Sequence, residues 1–232
     1  MGGLDTEFIS MVQSAGLPGG EDTPPLTLPA DLPVLGLSDI VIFPGNVSPL
    51  LVDSGASVRL IDDVVGGDRL VCLVLQKNAE VSDPAPEDLY EVGCVARVLK
   101  MLKYPDETAR ILVEGQARVR IGKYTSREPY LRAQASLLPE KAEDSPRLRS
   151  MARTLQQRFQ ELLKSAPSVG EHIKLAALNV SQPGRLSDLV AGTLNLQLSE
   201  KQKLLETVRT AERLSLLVPL LARVLEFTAL GA

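Results

Sequence analysis

The sequence has few of the residues on which catalytic and nucleic-acid-binding sites commonly depend. Among its 232 residues there is no tryptophan, aromatic residues make up 3%, and His172 is the single histidine. A surface that stacks single-stranded nucleic acid would have few rings to offer. No apolar run reaches the roughly 18 residues that a membrane-spanning helix needs, because Pro219 and Arg223 interrupt the longest one. These shortages disfavour a nucleic-acid platform and exclude a spanning helix.

Motifs that mark catalytic sites are also missing. Cys72 and Cys94 are the only cysteines, and each lies in an apolar run, as inert buried thiols do. Two cysteines exclude a disulfide scaffold and favour a reducing, cytoplasmic compartment. The phosphate-binding pattern GxxxxGK[ST] and the nucleophile pattern GxSxG are absent. The residues therefore predict a binding module without a catalytic or metal site. A stand-alone hydrolase would need a site built around His172 or Cys94.

The net charge of -4 comes from one end of the chain. Residues 1–30 carry four acidic side chains and no lysine or arginine, whereas the charges of the remaining residues cancel. Nucleic-acid binding normally requires a concentrated basic surface, and the pI here is about 5.2. Residues 1–30 are also rich in proline and glycine, which predicts a flexible leader.

Residues 31–140 have the sequence pattern of a β-rich domain. Short runs of Val, Ile and Leu are separated by turn residues: LPVLGL, IVIFPG, RLVCLVLQ, VGCVARVLKML, ARILVEG, ARVRIGKY and YLRAQASLL. One short helix is predicted between the second and third runs, with Gly66-Gly67 ending it. Pro105-Asp106 predicts a hairpin turn. These elements indicate a small twisted sheet or β-barrel.

Residues 141–232 switch to helical periodicity. Apolar residues recur every three or four positions after Ser145, the predicted N-cap of a first helix that has Pro146 at its first position. Further helices are predicted over 169–179 and 186–194, and a fourth is predicted to be capped by Ser199 with Gln202. The last helix carries a strong apolar stripe: Leu214, Leu217, Leu221 and Leu225. That stripe is expected to pack within the bundle or against neighbouring subunits. Residues 139–146 are the predicted hinge.

Several segments together resemble the N-terminal region of Lon-type ATP-dependent proteases. They are LPVLGLSDIVIFPGNVSPL, VCLVLQK, DLYEVGCVARVLKMLKYPDETARILVEGQARVRI and PGRLSDLVAGTLNLQLSEKQKLLETVRTAERL. The resemblance implies an α+β fold, with a PUA-like β-barrel or twisted-sheet domain over 31–140 followed by an α-helical bundle over 141–232. The bundle would end at the start of the linker helix to a missing ATPase module. ATP and Mg²⁺ are implied only for that module, so no cofactor is expected in this chain.

The resemblance also implies a function. The chain would be a non-catalytic part of an ATP-dependent serine protease, without the Walker A motif and the Ser-Lys dyad. It would recognise unfolded or damaged polypeptides through their exposed hydrophobic segments and assist substrate delivery. It would also assist assembly of a hexamer by self-association, and no membrane partner is expected. The alternative is a free-standing adaptor or small-ligand-binding protein of the same β fold, with no attached ATPase.

Two groups of apolar residues are candidates for the substrate-binding patch. The first lies at the predicted hairpin and comprises Met101, Leu102 and Tyr104. The second lies in the loop after the second predicted strand and comprises Phe43, Pro44, Val47 and Leu50. Methionine suits an adaptable surface because its flexible side chain can repack against different partners. Ordinary core packing remains the alternative for both groups.

Overall fold

The structure is a computed structural model that describes residues 25–166 and 169–230. The chain divides into two compact units between Leu138 and Pro139, close to the predicted boundary after residue 140. Residues 1–24 of the predicted leader lie outside the described residues, and residues 25–30 contain no helix or strand.

Between residues 25 and 138, the first unit is a β-barrel with one α-helix. Its strands are β1 (Leu32–Leu37), β2 (Val47–Val52), β3 (Leu70–Leu75), β4 (Val92–Lys103), β5 (Ala109–Ser126) and β6 (Arg132–Leu137). Helix α1 (Gly55–Val65) follows β2, and a 3-10 helix at Pro86–Asp88 precedes β4. Strand β1 is parallel to β3, and the other pairs are antiparallel. Because β6 pairs with both β1 and β5, a closed ring forms from the five strands β5, β4, β3, β1 and β6. Strand β2 lies outside this ring and pairs with β5.

Two apolar clusters pack on opposite sides of this sheet. The barrel cluster takes buried side chains from all five ring strands, such as Val95 and Val119. The helix-covered cluster lies on the other side and joins Ile61 of α1 to strand residues such as Cys94 and Ile111. Because successive residues of a strand point to opposite sides, long apolar runs such as β3 supply both clusters at once.

The predicted helix and hairpin of this unit are confirmed. Helix α1 begins after Ser54, whose hydroxyl oxygen accepts the N–H of Ser57 at 3.1 Å, and it ends at Gly66. At the hairpin, the N–H of Tyr104 donates to the carbonyl oxygen of Thr108 at 2.9 Å, which closes the turn between β4 and β5.

The predicted strand IVIFPG is wrong, because residues 40–45 form no strand and β2 begins at Val47. The cause is a close approach between this segment and β5. A Cβ on Gly115 would lie 2.2 Å from the carbonyl oxygen of Phe43, so only glycine fits there. Gly45 then turns the chain with a φ of 84° and donates its N–H to the carbonyl oxygen of Gly115 at 2.8 Å.

The described part of the second unit contains five helices. They are α2 (Pro146–Ser165), α3 (Glu171–Asn179), α4 (Pro183–Thr193), α5 (Leu198–Glu206) and α6 (Thr210–Leu230). The predicted cap of α2 is confirmed, since the hydroxyl oxygen of Ser145 accepts the N–H of Leu148 at 3.1 Å. The predicted cap of the fourth of these helices is wrong. Helix α5 starts earlier, after Gln197, whose N–H donates to the Glu200 carboxylate at 3.2 Å.

The apolar stripe of α6 faces the inside of its own unit. Leu214, Leu217 and Leu221 have no exposed surface, and Leu225 is half-buried. Pro219 lies within the same helix but is exposed, so it does not interrupt the buried stripe. The first three leucines therefore form helix-bundle core. With the barrel before it, the bundle confirms the predicted α+β fold class.

A buried arginine joins several segments of the helical unit. Arg213 of α6 has no exposed surface and forms an ion pair with Glu140. Its guanidinium also donates to the Ser187 hydroxyl and the Thr207 carbonyl oxygen, both at 2.8 Å, and lies 3.5 Å from the Asp188 carboxylate. Part of the predicted hinge, residue 140, is thus bound to the helical unit. The hinge itself stays a prediction.

Candidate functional site

The two cysteines are placed as core residues. Both are buried, with Cys72 in the barrel cluster and Cys94 in the helix-covered cluster, on opposite sides of the sheet. Burial raises the pKa of the Cys72 thiol to about 12, and the nearby Cys94 contributes. A protonated thiol is a poor nucleophile. Among the described residues, no three His, Cys, Asp or Glu side chains are grouped so that they could hold a metal ion. No helix in the described part of the chain is both long and apolar enough to cross a membrane.

The hairpin divides its three candidate residues between the two sides of the sheet. Met101 is half-buried and packs against the helix-covered cluster. Leu102 points to the opposite side, where it pairs with Arg110 across β4 and β5. Tyr104 shares that side, because the Arg110 guanidinium lies over its ring, 5.7 Å from the ring centre. Leu102 and Tyr104 therefore share a surface from which Met101 turns away.

The loop group is also divided. Phe43 has no exposed surface and Leu50 is 7% exposed, so the assignment of these two residues to a binding patch is wrong. Leu50 belongs to the helix-covered cluster, and the backbone carbonyl of Phe43 lies against Gly115 of β5. Pro44 is half-buried in the turn before β2. Val47 is half-buried and begins β2, on the side opposite Leu50.

The exposed apolar residue of β2 is Leu51, which the sequence did not single out. Its side chain is 58% exposed, and it pairs with Arg110, which in turn pairs with Leu102. The three residues thus form a row across β2, β5 and β4. Val47 lies on the same side of β2. We call Val47, Leu51, Leu102, Tyr104 and Arg110 the hairpin face. Once the start of β2 is known, the alternation of buried and exposed residues along the strand identifies Leu51 as an exposed residue.

The hairpin face combines apolar contact with one positive charge. Residues opposite each other on neighbouring strands have Cβ atoms about 5 Å apart, so Leu51, Arg110 and Leu102 form a continuous surface. The Arg110 guanidinium is held on the Tyr104 ring by a cation–π contact. At the end of the hairpin, the Lys103 ammonium forms a 2.8 Å ion pair with the Asp62 carboxylate of α1. Lys103 lies on the side of Met101, toward α1, so the charge on the hairpin face itself is that of Arg110.

No other described strand pairs with the outer edge of β2, and this edge is less suited to binding an extended chain than the hairpin face. Strand addition needs a regular row of N–H and C=O groups along an open edge. The N–H of Gly115 donates to the carbonyl oxygen of Asn46, and hydrogen-bonded pairs alternate along an antiparallel ladder. By this alternation, the backbone groups of residue 49 point away from β5, toward the open edge. Residue 49 is a proline, which has no N–H to donate to an added strand. Side-chain contact, rather than strand pairing, is what this region offers.

Comparisons with known proteins agree with this architecture. The family model of the substrate-binding domain of ATP-dependent protease La (LON) matches residues 31–223. The Lon protease of Dictyoglomus thermophilum is 36% identical over 199 residues, which are 86% of this chain and 25% of that protein. The Lon protease of Azospirillum brasilense is 40% identical over 182 residues, which are 78% of this chain and 22% of that protein.

Solved structures show the same fold. The N-terminal domain of Mycobacterium avium complex Lon protease covers 83% of this chain and 98% of its own, with a TM-score of 0.66 at 21% identity. The Lon N-terminal domain protein of Xanthomonas campestris covers 82% and 97%, with a TM-score of 0.58 at 18% identity. The chain spans about a quarter of the length of the Lon proteases that it matches. Because the family model covers most of the chain, this protein belongs to the family of LON substrate-binding domains.

Proposed function

We propose that this chain captures unfolded or damaged polypeptides for a Lon-type protease by binding their apolar segments at the hairpin face. The observation that carries the proposal is Leu51, which is 58% exposed on the edge strand β2 and lies in a row with Arg110 and Leu102. A folded protein buries most of its large apolar side chains, whereas an unfolded one exposes them. A receptor for unfolded chains therefore needs an apolar surface of its own with a polar rim.

A small apolar surface suits weak and reversible capture. Burying about 400 Å² of apolar surface would contribute about 10 kcal/mol. Association costs of roughly 4 to 15 kcal/mol offset most of that gain. A single hairpin face then binds weakly, and several copies in one assembly raise the overall affinity through effective concentration. Weak single contacts also allow a captured chain to be released for further processing.

The role within the whole protein follows from the relatives and is part of the proposal. The chain would serve a cytoplasmic ATP-dependent serine protease, deliver substrate to its ATPase module and assist assembly of its hexamer. ATP and Mg²⁺ would act in that module, and this chain would need no cofactor and have no peptidase activity of its own. Unfolded proteins and further copies of the same protease subunit would be its partners.

A titration with matched folded and unfolded ligands tests the proposal. The probe is a small disulfide-bonded protein in its native form and in its reduced, alkylated form, added to the ¹⁵N-labelled chain. We expect only the unfolded form to shift amide signals, and we expect the largest shifts at Leu51, Leu102 and Arg110. Equal shifts with both forms, or shifts confined to the helical unit, would contradict binding at the hairpin face.

A further inference from the structure

An extra residue in β4 decides which of its side chains belong to the hairpin face. Val98 pairs with Val113, and the next paired residue is Lys100 opposite Leu112, so Leu99 forms a β-bulge. Val98 and Met101 both pack against the helix-covered cluster. Because they are an odd number of positions apart, a regular strand would place them on opposite sides. The Leu99 bulge is what allows both to face the cluster.

Loss of the bulge would exchange the two sides of the hairpin. A slip of one residue turns every following side chain to the other face of a strand. Leu102 would then face the helix-covered cluster, and Met101 would take its place beside Arg110. Lys100, which is exposed, would pair with Ile111 and face the buried cluster. The composition of the hairpin face therefore depends on the bulge.

Arg69 binds the backbone of this bulge. It lies between α1 and β3 with a φ of 65°, a conformation that is uncommon for a residue with a side chain. Its guanidinium donates to the carbonyl oxygens of Val98 at 3.0 Å and Leu99 at 3.1 Å. Its own carbonyl oxygen accepts the N–H of Val98 at 2.8 Å. A bulge leaves carbonyl groups without their regular ladder partners, and Arg69 supplies donors to them.

We propose that Arg69 is a positioning residue for substrate capture: by binding the carbonyl oxygens of Val98 and Leu99, it holds the bulge that turns Leu102 to the hairpin face. This inference rests on the proposed function for its consequence in binding. It explains why a residue outside the surface adopts a left-handed backbone conformation. The Arg69 side chain would then determine the orientation of Leu102 as well as contribute to stability.

Two substitutions remove the guanidinium without adding backbone strain. Glycine readily adopts a positive φ, and asparagine tolerates it with a side chain shorter than that of arginine. In the full chain, Arg69→Gly and Arg69→Asn are compared with wild type by the broadening of the Met101 and Leu102 methyl signals with a soluble paramagnetic agent. We expect the Met101 signal to be more broadened than in wild type and the Leu102 signal to be less broadened. Unchanged broadening of both methyl groups in either folded variant would overturn the proposal.

Deletion of Leu99 provides the matched control. It makes the ladder from Val98 to Lys100 regular and leaves Leu102 on the hairpin face. In the Leu99-deleted chain, Arg69→Gly should therefore leave the exposure of Met101 and Leu102 unchanged. If the single variants fail to fold, recovery of folding in the Leu99-deleted chain supports the proposal. Failure of Arg69→Gly to fold in that chain as well, or failure of the deleted chain itself, overturns it.

Binding measured on the same variants separates this inference from the proposed function. Affinity for the reduced, alkylated protein should fall about tenfold in Arg69→Gly, because the slip would turn Leu102 and Tyr104 away from the hairpin face and bring the charged Lys103 onto it together with Met101. It should return to the wild-type value when Leu99 is also deleted. If the methyl exposures change as expected while the affinity does not, the role of Arg69 in the bulge stands and binding at the hairpin face is contradicted.

Discussion

Replacing Arg213 by methionine is expected to destabilise the helical unit strongly. Methionine keeps much of the side-chain volume, so the change removes charge and donors with little cavity formation. The Asp188 carboxylate, which is 6% exposed, would lose the adjacent guanidinium, and the Ser187 hydroxyl and Thr207 carbonyl oxygen would lose a hydrogen-bond donor. Removing one partner of a buried ion pair costs about 3 to 5 kcal/mol, because the remaining charge stays buried. At about 4 to 8 °C per kcal/mol for a unit of this size, the midpoint should fall by more than about 10 °C.

Glu140→Gln is the matched comparison for Arg213→Met. The Glu140 side chain is 37% exposed, and glutamine keeps an oxygen that can accept from Arg213. A partly exposed ion pair contributes about 1 kcal/mol or less, so this variant should lose far less stability. Urea unfolding followed by far-ultraviolet circular dichroism reports mainly the helical unit. Tyrosine fluorescence reports the barrel unit, since all four tyrosines lie there: Tyr90, Tyr104, Tyr124 and Tyr130. A free energy of unfolding for Arg213→Met within about 1 kcal/mol of wild type would refute the importance of the buried ion pair.

Three further predictions follow from other buried or ordered groups. The Arg132 guanidinium lowers the pKa of Asp31, so Asp31 stabilises the fold above its ordinary pKa and loses this effect as pH falls through the folded value. Asp31→Asn should therefore be less stable than wild type at neutral pH and equal to it in acid, as measured by urea unfolding. Cys72 and Cys94 should resist alkylation in the native protein and react in denaturant, as counted by mass spectrometry, because both are buried. Gly115→Ala places a Cβ 2.2 Å from a backbone oxygen and should lower the thermal midpoint by several degrees.

The sequence predicts the elements of this fold better than the sides to which their residues point. Strand runs, the hairpin turn and the Ser145 cap depend on neighbouring residues, so local patterns are sufficient for them. Whether Leu50 or Leu51 is exposed depends on where β2 begins. That start is determined by the contact between Gly115 and the carbonyl oxygen of Phe43, which are far apart in the chain. The sequence therefore points to the correct segment, but it selects the buried Leu50 instead of the exposed Leu51.

The same limit applies to the hairpin and to the helical unit. The Leu99 bulge separates Met101 from Leu102, and no residue in the run VARVLKML marks it, because the donors come from Arg69 before β3. Arg213 is charged, and a charged side chain is rarely fully buried unless it is paired. Its burial depends on acidic groups from two distant segments, which only the tertiary structure brings together.

The central claim is that the hairpin face binds unfolded chains, and one comparison of affinities tests it most directly. Leu51 belongs to the hairpin face and is 58% exposed. Leu137, the last residue of β6, does not belong to the hairpin face and is 40% exposed. Leu51→Asp and Leu137→Asp introduce the same charge at exposed leucines of the same unit. We expect Leu51→Asp to weaken binding of a reduced, alkylated protein about tenfold or more, and Leu137→Asp to leave it unchanged. Equal affinities for the two variants would contradict the claim.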